Sequence, residues 1–236
     1  MEQQNFIYEY PHPAVACDCA VFGFDGHDIV ILLIRRGIEP YKDKWALPGG
    51  FLRMDETAEQ CVRRELCEET TLSPEVVEHF GVFSAVGRDP RERVLSVSYF
   101  SLVRKSEVRG GDDASDAQWF SLSSLPGLAF DHEEILAKAL QTLRERIYFE
   151  PIGFGLMDRM FTIPELQRLY EAILGVSFDR RNFLKKILLS GIIAEVPDEH
   201  QRRTKKKSVG RTPKYYTFDS GAYEKMKGDG VGKIEF

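Results

Sequence analysis

Three glutamates, Glu65, Glu68 and Glu69, fall within a single short segment, with Glu68 and Glu69 three and four residues beyond Glu65. On a helix turning by about 100° per residue they share an arc with Ala58, Cys61, Val62, Leu66 and Leu72. The opposite arc holds Thr57, Glu59, Gln60, Arg63, Arg64, Cys67, Thr70 and Thr71. An ordinary acidic helix turns its carboxylates to water. Here the projection turns them toward the core, where they repel one another and lose hydration. Arg64, four residues before Glu68, screens only part of that charge. A divalent cation such as Mg2+, which prefers carboxylate oxygen and water, neutralises the rest.

The wider spacing is specific. Gly50, five residues, Glu56, seven residues, then Arg64-Glu65-Leu66-Cys67-Glu68-Glu69 closely resembles the Nudix box, the signature of the Nudix hydrolase superfamily. The resemblance implies a loop–helix–loop that binds Mg2+ or Mn2+ and handles nucleoside diphosphates linked to another moiety. Carried over by position, Glu65 and Glu69 are the metal ligands, with Glu68 supporting or ligating. Gly50 lends its backbone carbonyl, and Glu56 and Arg64 hold the array. The implied chemistry is attack of water on a pyrophosphate phosphorus, with metal ions activating the water and neutralising developing charge. Catalytic candidates are therefore Glu56, Arg64, Glu65, Glu68 and Glu69. One position departs from the pattern: Thr71 stands where the family has glycine. Glycine after a helix usually supplies a positive φ, which a β-branched residue tolerates poorly, so the loop after Glu69 is expected to differ.

Arg88, Arg91 and Arg93 are candidates for ligand phosphates, because arginine forks match phosphate oxygens. Arg88-Asp89-Pro90-Arg91 resembles a segment of ADP-ribose-handling Nudix domains and their regulatory relatives. The alternative for all three is an exposed loop with surface ion pairs. Trp45 and Tyr41 offer rings for stacking on a nucleobase, with core packing as the commoner use of tryptophan.

These groups need a frame. Residues 14–24 and 28–35 read as strands joined at Asp25-Gly26, the second nearly all apolar, as in a strand buried on both faces. Pro48-Gly49-Gly50 marks a special backbone. A helix over 57–70 follows, with Asp55 a candidate cap, then strands over 79–86 and 93–104 and a short one containing Trp119-Phe120. A helix over 132–148 opens with Asp131 and Glu134 at capping-box spacing. The front, 1–149, is expected to be an α+β domain, a mixed-sheet α/β/α sandwich of the Nudix type.

Glu150-Pro151-Ile152-Gly153 breaks the chain into a second module, 150–236. Helices over 164–174 and 179–190 precede strands near 192–196 and 215–218, the order of a small winged helix-turn-helix domain. In such a domain the second helix enters the major groove, and Arg180, Arg181, Asn182, Lys185 and Lys186 suit phosphates and base edges. Phe183, Leu184, Ile187 and Leu188 are expected to pack inward. The hairpin tip carries Arg202, Arg203, Lys205, Lys206, Lys207 and Arg211; a solvated basic loop on a dimerisation domain is the alternative. Both modules together resemble the NrtR-like Nudix-related transcriptional regulators. Glu150 to Phe154, Phe161-Thr162 and Tyr170-Glu171-Ala172 match that group's linker and first rear helices. The resemblance implies a double-stranded DNA operator, an ADP-ribose-like or sugar effector, control of NAD biosynthesis or sugar-utilisation genes, and a homodimer.

Composition agrees with two partners of opposite charge. The formal net charge of the 236 residues is −5. It divides into −9 over 1–149 and +4 over 150–236, with +7 concentrated in 177–216. At 43% hydrophobic and 29% charged residues, wholesale disorder is excluded. No apolar run approaches the roughly 20 residues of a membrane span, and Met1 to Pro11 lacks the apolar stretch of a signal peptide. The four cysteines lack zinc or redox spacing, so reduced thiols, three of them buried, in a cytoplasmic protein are expected.

Overall fold

The computed structural model describes residues 8–105, 108, 114–197 and 213–228. Its front half is built on a mixed sheet. The strands are β1 (Ala14–Phe24), β2 (Ile29–Arg36), β3 (Trp45–Ala46), β4 (Gly49–Phe51), β5 (Glu78–Phe83), β6 (Val94–Leu102) and β7 (Ala114–Ser121). The order is β3-β2-β1-β6-β5, with β4 against β1 and β7 against β2. β1 and β6 run parallel from Ala14↔Val94 to Phe22↔Leu102. The other pairings are antiparallel.

Period-2 alternation divides the central strands between two cores. Cys17, Cys19 and Val21 of β1, with Leu32 and Ile34 of β2, pack with Cys61, Val62 and Leu66 of α1 (Ala58–Thr70). Ala20, Phe22, Ile31 and Leu33 turn the other way, toward Ile135, Leu136, Ala139 and Leu143 of α2 (His132–Arg146). Both sheet faces are covered, which gives the sandwich expected from the near-continuous apolar run of β2.

A 3-10 turn, Pro151–Leu156, begins where proline and glycine end the preceding helix. Beyond it lie α3 (Ile163–Leu174), α4 (Arg180–Leu189), the short antiparallel pair β8 (Ile193–Glu195) and β9 (Tyr216–Phe218), and α5 (Ser220–Gly228). Thr162 closes a capping box with Glu165, Pro164 sits in the first turn, and Gly175 ends α3 at φ 70. The second core continues without a break into this part through Leu166, Leu169, Tyr170, Ile173, Phe183 and Ile187.

Three local expectations are corrected. Thr57, not Asp55, caps α1: its side chain accepts from the Gln60 N–H, and the Gln60 side chain accepts from the Thr57 N–H. The Asp131 side chain makes no cap bond to α2, because Arg88 takes it. On α4 only Phe183 and Ile187 are buried, while Leu184 and Leu188 are exposed. The cysteines behave as expected, with Cys17, Cys19 and Cys61 buried and Cys67 exposed, all free.

Candidate functional site

A cavity of about 610 Å³ opens between α1, β4 and the start of α2. One wall is the acidic helix: Arg64, Glu65, Glu68 and Glu69 all reach it, as does Gly50. Arg64 organises that wall. Its guanidinium holds Glu56 through two bonds, Nε to Oε2 at 2.9 Å and Nη2 to Oε1 at 2.6 Å. Its Nη1 bridges Glu65 at 2.5 Å and Glu68 at 3.0 Å. Although Arg64 projects onto the polar arc, its long stem carries the charge around to the carboxylates. The hydrogen bonds from Arg64 hold the Glu56 carboxyl down at about 2.

The other two glutamates are electrostatically unsettled. Burial raises the Glu65 carboxyl above its ordinary range despite Arg64. Burial pushes the Glu69 carboxyl up to about 8, although the Gly49 N–H donates to its Oε2 at 2.8 Å. Among the described residues, no three His, Cys, Asp or Glu side chains converge as a ready metal cluster; Arg64 occupies the space between Glu65 and Glu68. The donor set nevertheless fits a hard divalent cation. Three carboxylates face one cavity, and burial makes the charge of Glu65 and Glu69 costly. The glycines permit this approach: a Cβ on Gly50 would collide with the Glu65 carboxylate, and one on Gly49 with Cys17 O and Asp18.

The facing wall is cationic and aromatic. Arg36, Arg88, Arg91, Phe51, Phe130 and His132 line it. The Arg36 guanidinium lies 4.9 Å from the Phe130 ring centre, and that of Arg91 lies 5.0 Å from Phe51. Phe130 adopts φ 54, an uncommon conformation for a bulky side chain. Below them is a buried polar cluster. Arg88 Nη2 lies 3.6 Å from Asp18, whose other oxygen lies 3.7 Å from His132 Nε2, and the Ser96 hydroxyl donates to Asp18 at 2.5 Å. His132 Nδ1 accepts the Leu47 N–H at 2.9 Å, so the ring is neutral, in line with burial lowering its pKa.

The structure thus brings Gly50, Arg64, Glu65, Glu68, Glu69, Arg88 and Arg91 to one cavity, with Glu56 held behind Arg64. Three ligand candidates, Trp45, Arg93 and Tyr41, fall outside its lining. Trp45 packs edge-on against Phe120 at 4.7 Å, inside β3, which is the core use of tryptophan. Arg93 donates to the Ala85 carbonyl. Arg88 and Arg91 are not free forks either: Asp131 holds the first, and Asp89 holds the second at 2.7 Å. Tyr41 stands edge-on to Phe130 at 4.7 Å, just behind the lining. Sequence reasoning missed Asp18, Arg36, Phe51, Phe130 and His132. They come from β1, β2, β4 and the start of α2, which are far apart in the sequence.

In the rear part, Arg180, Arg181, Asn182, Lys185 and Lys186 are exposed on α4. The Asp179 side chain accepts from the Arg181 and Asn182 N–H groups and fixes the helix start. The tip residues Arg202, Arg203, Lys205, Lys206, Lys207 and Arg211 lie outside the described residues. Among the described residues no helix is long and apolar enough to cross a membrane.

Comparison with known proteins places both halves. Residues 12–143 match the NUDIX domain, and residues 153–218 match the NrtR DNA-binding winged helix domain. The chain is 33% identical over 192 residues to the ADPR responsive transcriptional repressor NtrR of Acinetobacter baylyi, covering 79% of this chain and 77% of that protein. It is 48% identical over 127 residues to the ADP-ribose pyrophosphatase of Methanocaldococcus jannaschii, covering 54% and 73%. Among solved structures, Shewanella oneidensis NrtR superposes with a TM-score of 0.71 at 27% identity, covering 86% of this chain and 93% of that one. The NUDIX domain of the same protein, complexed with ADP ribose, superposes with a TM-score of 0.54 at 29% identity, covering 57% and 90%. Nudix domains generally use divalent cations, a class of ion that the carboxylate donors of the acidic wall fit. With its box on α1 and an NrtR-type winged helix behind α2, the chain belongs to the Nudix superfamily, in the NrtR-like group of Nudix-related transcriptional regulators.

Proposed function

We propose that the protein is a DNA-binding transcriptional regulator whose Nudix domain senses ADP-ribose or a related nucleotide or sugar metabolite. One observation carries this reading. His132, the first residue of α2, lines the ligand cavity, its neighbour Asp131 holds the cavity-lining Arg88, and Arg144 in the last turn of α2 donates to the Ile173 carbonyl of α3 at 2.8 Å. A single helix therefore touches both the cavity and the helix pair that would meet DNA. The sensor module is 1–149 and the reader module 150–236. In the reader, Arg180, Arg181, Asn182, Lys185 and Lys186, with the basic tip from Arg202 to Arg211, supply the phosphate and base contacts, and a two-fold dimer in the cytoplasm reads a palindromic site. The relatives support the effector class, since one is named for its response to ADPR and another was solved with ADP ribose.

The test is fluorescence anisotropy with a duplex selected by the full chain from a random pool. ADP-ribose is expected to change the DNA affinity by about 5- to 150-fold, the usual range of such coupling. An affinity that stays constant through saturating ADP-ribose removes the sensor reading. Raising the salt should weaken binding steeply, as counterion release requires.

A second reading is favoured by the complete acidic array. With Glu56, Arg64, Glu65, Glu68 and Glu69 all present, the same cavity fits a Mg2+- or Mn2+-dependent pyrophosphatase acting on ADP-ribose. Gly50, Glu65, Glu68 and Glu69 would hold the metal, which supplies Lewis acidity and an activated water. Glu56 would keep Arg64 in place, and the Arg36, Arg88 and Arg91 side would face the diphosphate. Product formation with Mg2+ above that of the Glu69→Gln variant supports it; equal rates remove it and leave the sensor reading intact.

A further inference from the structure

The outward face of α4 is not uniformly basic. Phe183 and Ile187 point inward, where Phe183 packs on Tyr170 and Phe178 at ring-centre distances of 5.9 and 5.6 Å. At about 100° per residue, the direction opposite them is occupied by Arg181, Lys185, Leu188 and Leu189, with Leu184 on the shoulder one turn before Leu188. The leucines are exposed in the monomer: Leu184 by 36%, Leu188 by 46% and Leu189 by 74%. Leu188 and Leu189 share the side of the two cations, and Leu184 borders it one turn before Leu188, so the leucines form a mixed row with the cations rather than scattered surface apolars.

We infer that Leu184 and Leu188 are specificity residues that contact thymine methyl groups in the major groove. This rests on the DNA-binding reading of the rear module and adds to it the base chemistry. The charge in the row favours a nucleic-acid occupant over a second apolar helix: Arg181 and Lys185 alternate with the leucines, and a helix packed face-on against this row would bury both cations. The floor of the major groove carries one apolar group, the C5-methyl of thymine; every other exposed edge is a donor or an acceptor. With Arg181 and Lys185 on phosphates or guanine edges, the leucines between them meet the groove floor. The row is held in place, because Asp179 caps the helix and the edge-on contact of Phe183 with Tyr170 fixes its inner side. The half-site therefore contains A·T pairs one helical turn of α4 apart in reach of these side chains.

The full chain is used to select duplexes from a random pool, and each thymine of the selected site is then replaced singly by uracil, which lacks only the methyl. At one or more positions the affinity is expected to fall about 4-fold, the worth of one methyl group buried. Leu188→Ala or Leu184→Ala should bind the thymine site more weakly and no longer distinguish thymine from uracil at that position. Both variants keep a good helix former on an exposed face, so folding is preserved. Uracil replacements that change affinity by less than about 1.5-fold everywhere overturn the inference while leaving DNA binding in place. So do variants that retain the full thymine preference. A leucine variant that converts a dimer to a monomer without DNA also overturns it, by assigning the row to a second copy. If no duplex is enriched at all, the DNA-binding reading falls and this inference with it.

Discussion

Arg88 holds Asp131 across 43 residues of chain, with Nε on Oδ2 at 2.8 Å and Nη2 on Oδ1 at 2.6 Å. The Arg88 side chain is 3% exposed. The pair joins the loop before β6 to the residue that precedes α2, at the floor of the cavity. A bidentate arginine–carboxylate pair in such a place is geometrically exacting, and removing one partner strands a buried charge. Asp131→Asn is therefore expected to destabilise the protein by about 3 kcal/mol, with Asp18 at 3.6 Å offsetting part of the loss. Urea unfolding checks this. A midpoint within error of the parent would mean that Arg88 needs no partner there.

Thr71 ends α1 in the left-handed region, at φ 63 and ψ 6, where its N–H donates to the Cys67 carbonyl. The β-branched residue thus takes the left-handed conformation that glycine usually supplies after a helix. Holding an L-residue there costs roughly 1–2 kcal/mol; glycine removes that strain, and its greater freedom in the unfolded chain offsets part of the gain. Thr71→Gly is expected to raise stability by about 1 kcal/mol and to leave the cavity unchanged. Thermal unfolding measures it; a lowered melting temperature would show that the Thr71 hydroxyl, bonded to the Thr70 carbonyl at 2.6 Å, matters more than the backbone strain.

Acid should loosen the Glu56–Arg64 clamp. The Glu56 carboxyl titrates at about 2 in the folded chain against an ordinary 4.5. A depressed carboxylate contributes stability that is fully present above its unfolded value and is lost as pH falls toward its folded one. The stability difference between the parent and Glu56→Gln should thus be constant above about pH 5 and shrink steadily between 4.5 and 2. Paired urea titrations at stepped pH read this directly. A difference that does not change with pH would mean the clamp is held by shape rather than charge.

How far the sequence carries depends on how local each cause is. The acidic face of α1 is written in one stretch of helix, so spacing alone finds Glu65, Glu68, Glu69 and their partner Arg64. β2 betrays its double burial by an unbroken apolar run. The parallel pairing of β1 with β6 has no local signature, and with it goes the placing of Asp18 beside Ser96. The cationic wall is hidden for the same reason: Arg36 of β2, Phe51 of β4, and Phe130 with His132 at the start of α2 meet only when three separate parts of the chain close. Trp45 misleads because a large ring suits a core and a ligand equally, and Phe120 decides the matter. Leu184 and Leu188 mislead because an apolar residue in a helix is read as core by default, whereas here two buried residues, Phe183 and Ile187, suffice to seat α4.

Arg144 offers the sharpest test of how the two modules communicate. Its Nε donates to the Ile173 carbonyl at 2.8 Å, just before α3 ends at Gly175. At the other end of α2, His132 lines the cavity and accepts from the Leu47 N–H, and Asp131 just before it holds the cavity-lining Arg88. A ligand whose phosphates compete with Asp131 for Arg88 alters the seat of the α2 start. Because α2 is a continuous helix of 15 residues, that change reaches its last turn as a rigid displacement, and Arg144 is the polar contact there that holds the end of α3. Arg144→Gln shortens the side chain below this reach and removes the bond. It leaves the cavity and the outward face of α4 untouched, so ADP-ribose and DNA should each bind with little change when measured alone. The ratio of DNA affinities with and without saturating ADP-ribose should fall toward one, from a starting coupling on the order of 1–3 kcal/mol. The same coupling must fall when read from the opposite side, as the effect of DNA on ADP-ribose affinity, because linkage is reciprocal. An unchanged ratio in both directions would assign the coupling to other contacts between the modules, such as the apolar packing that α2 shares with Leu166 and Tyr170.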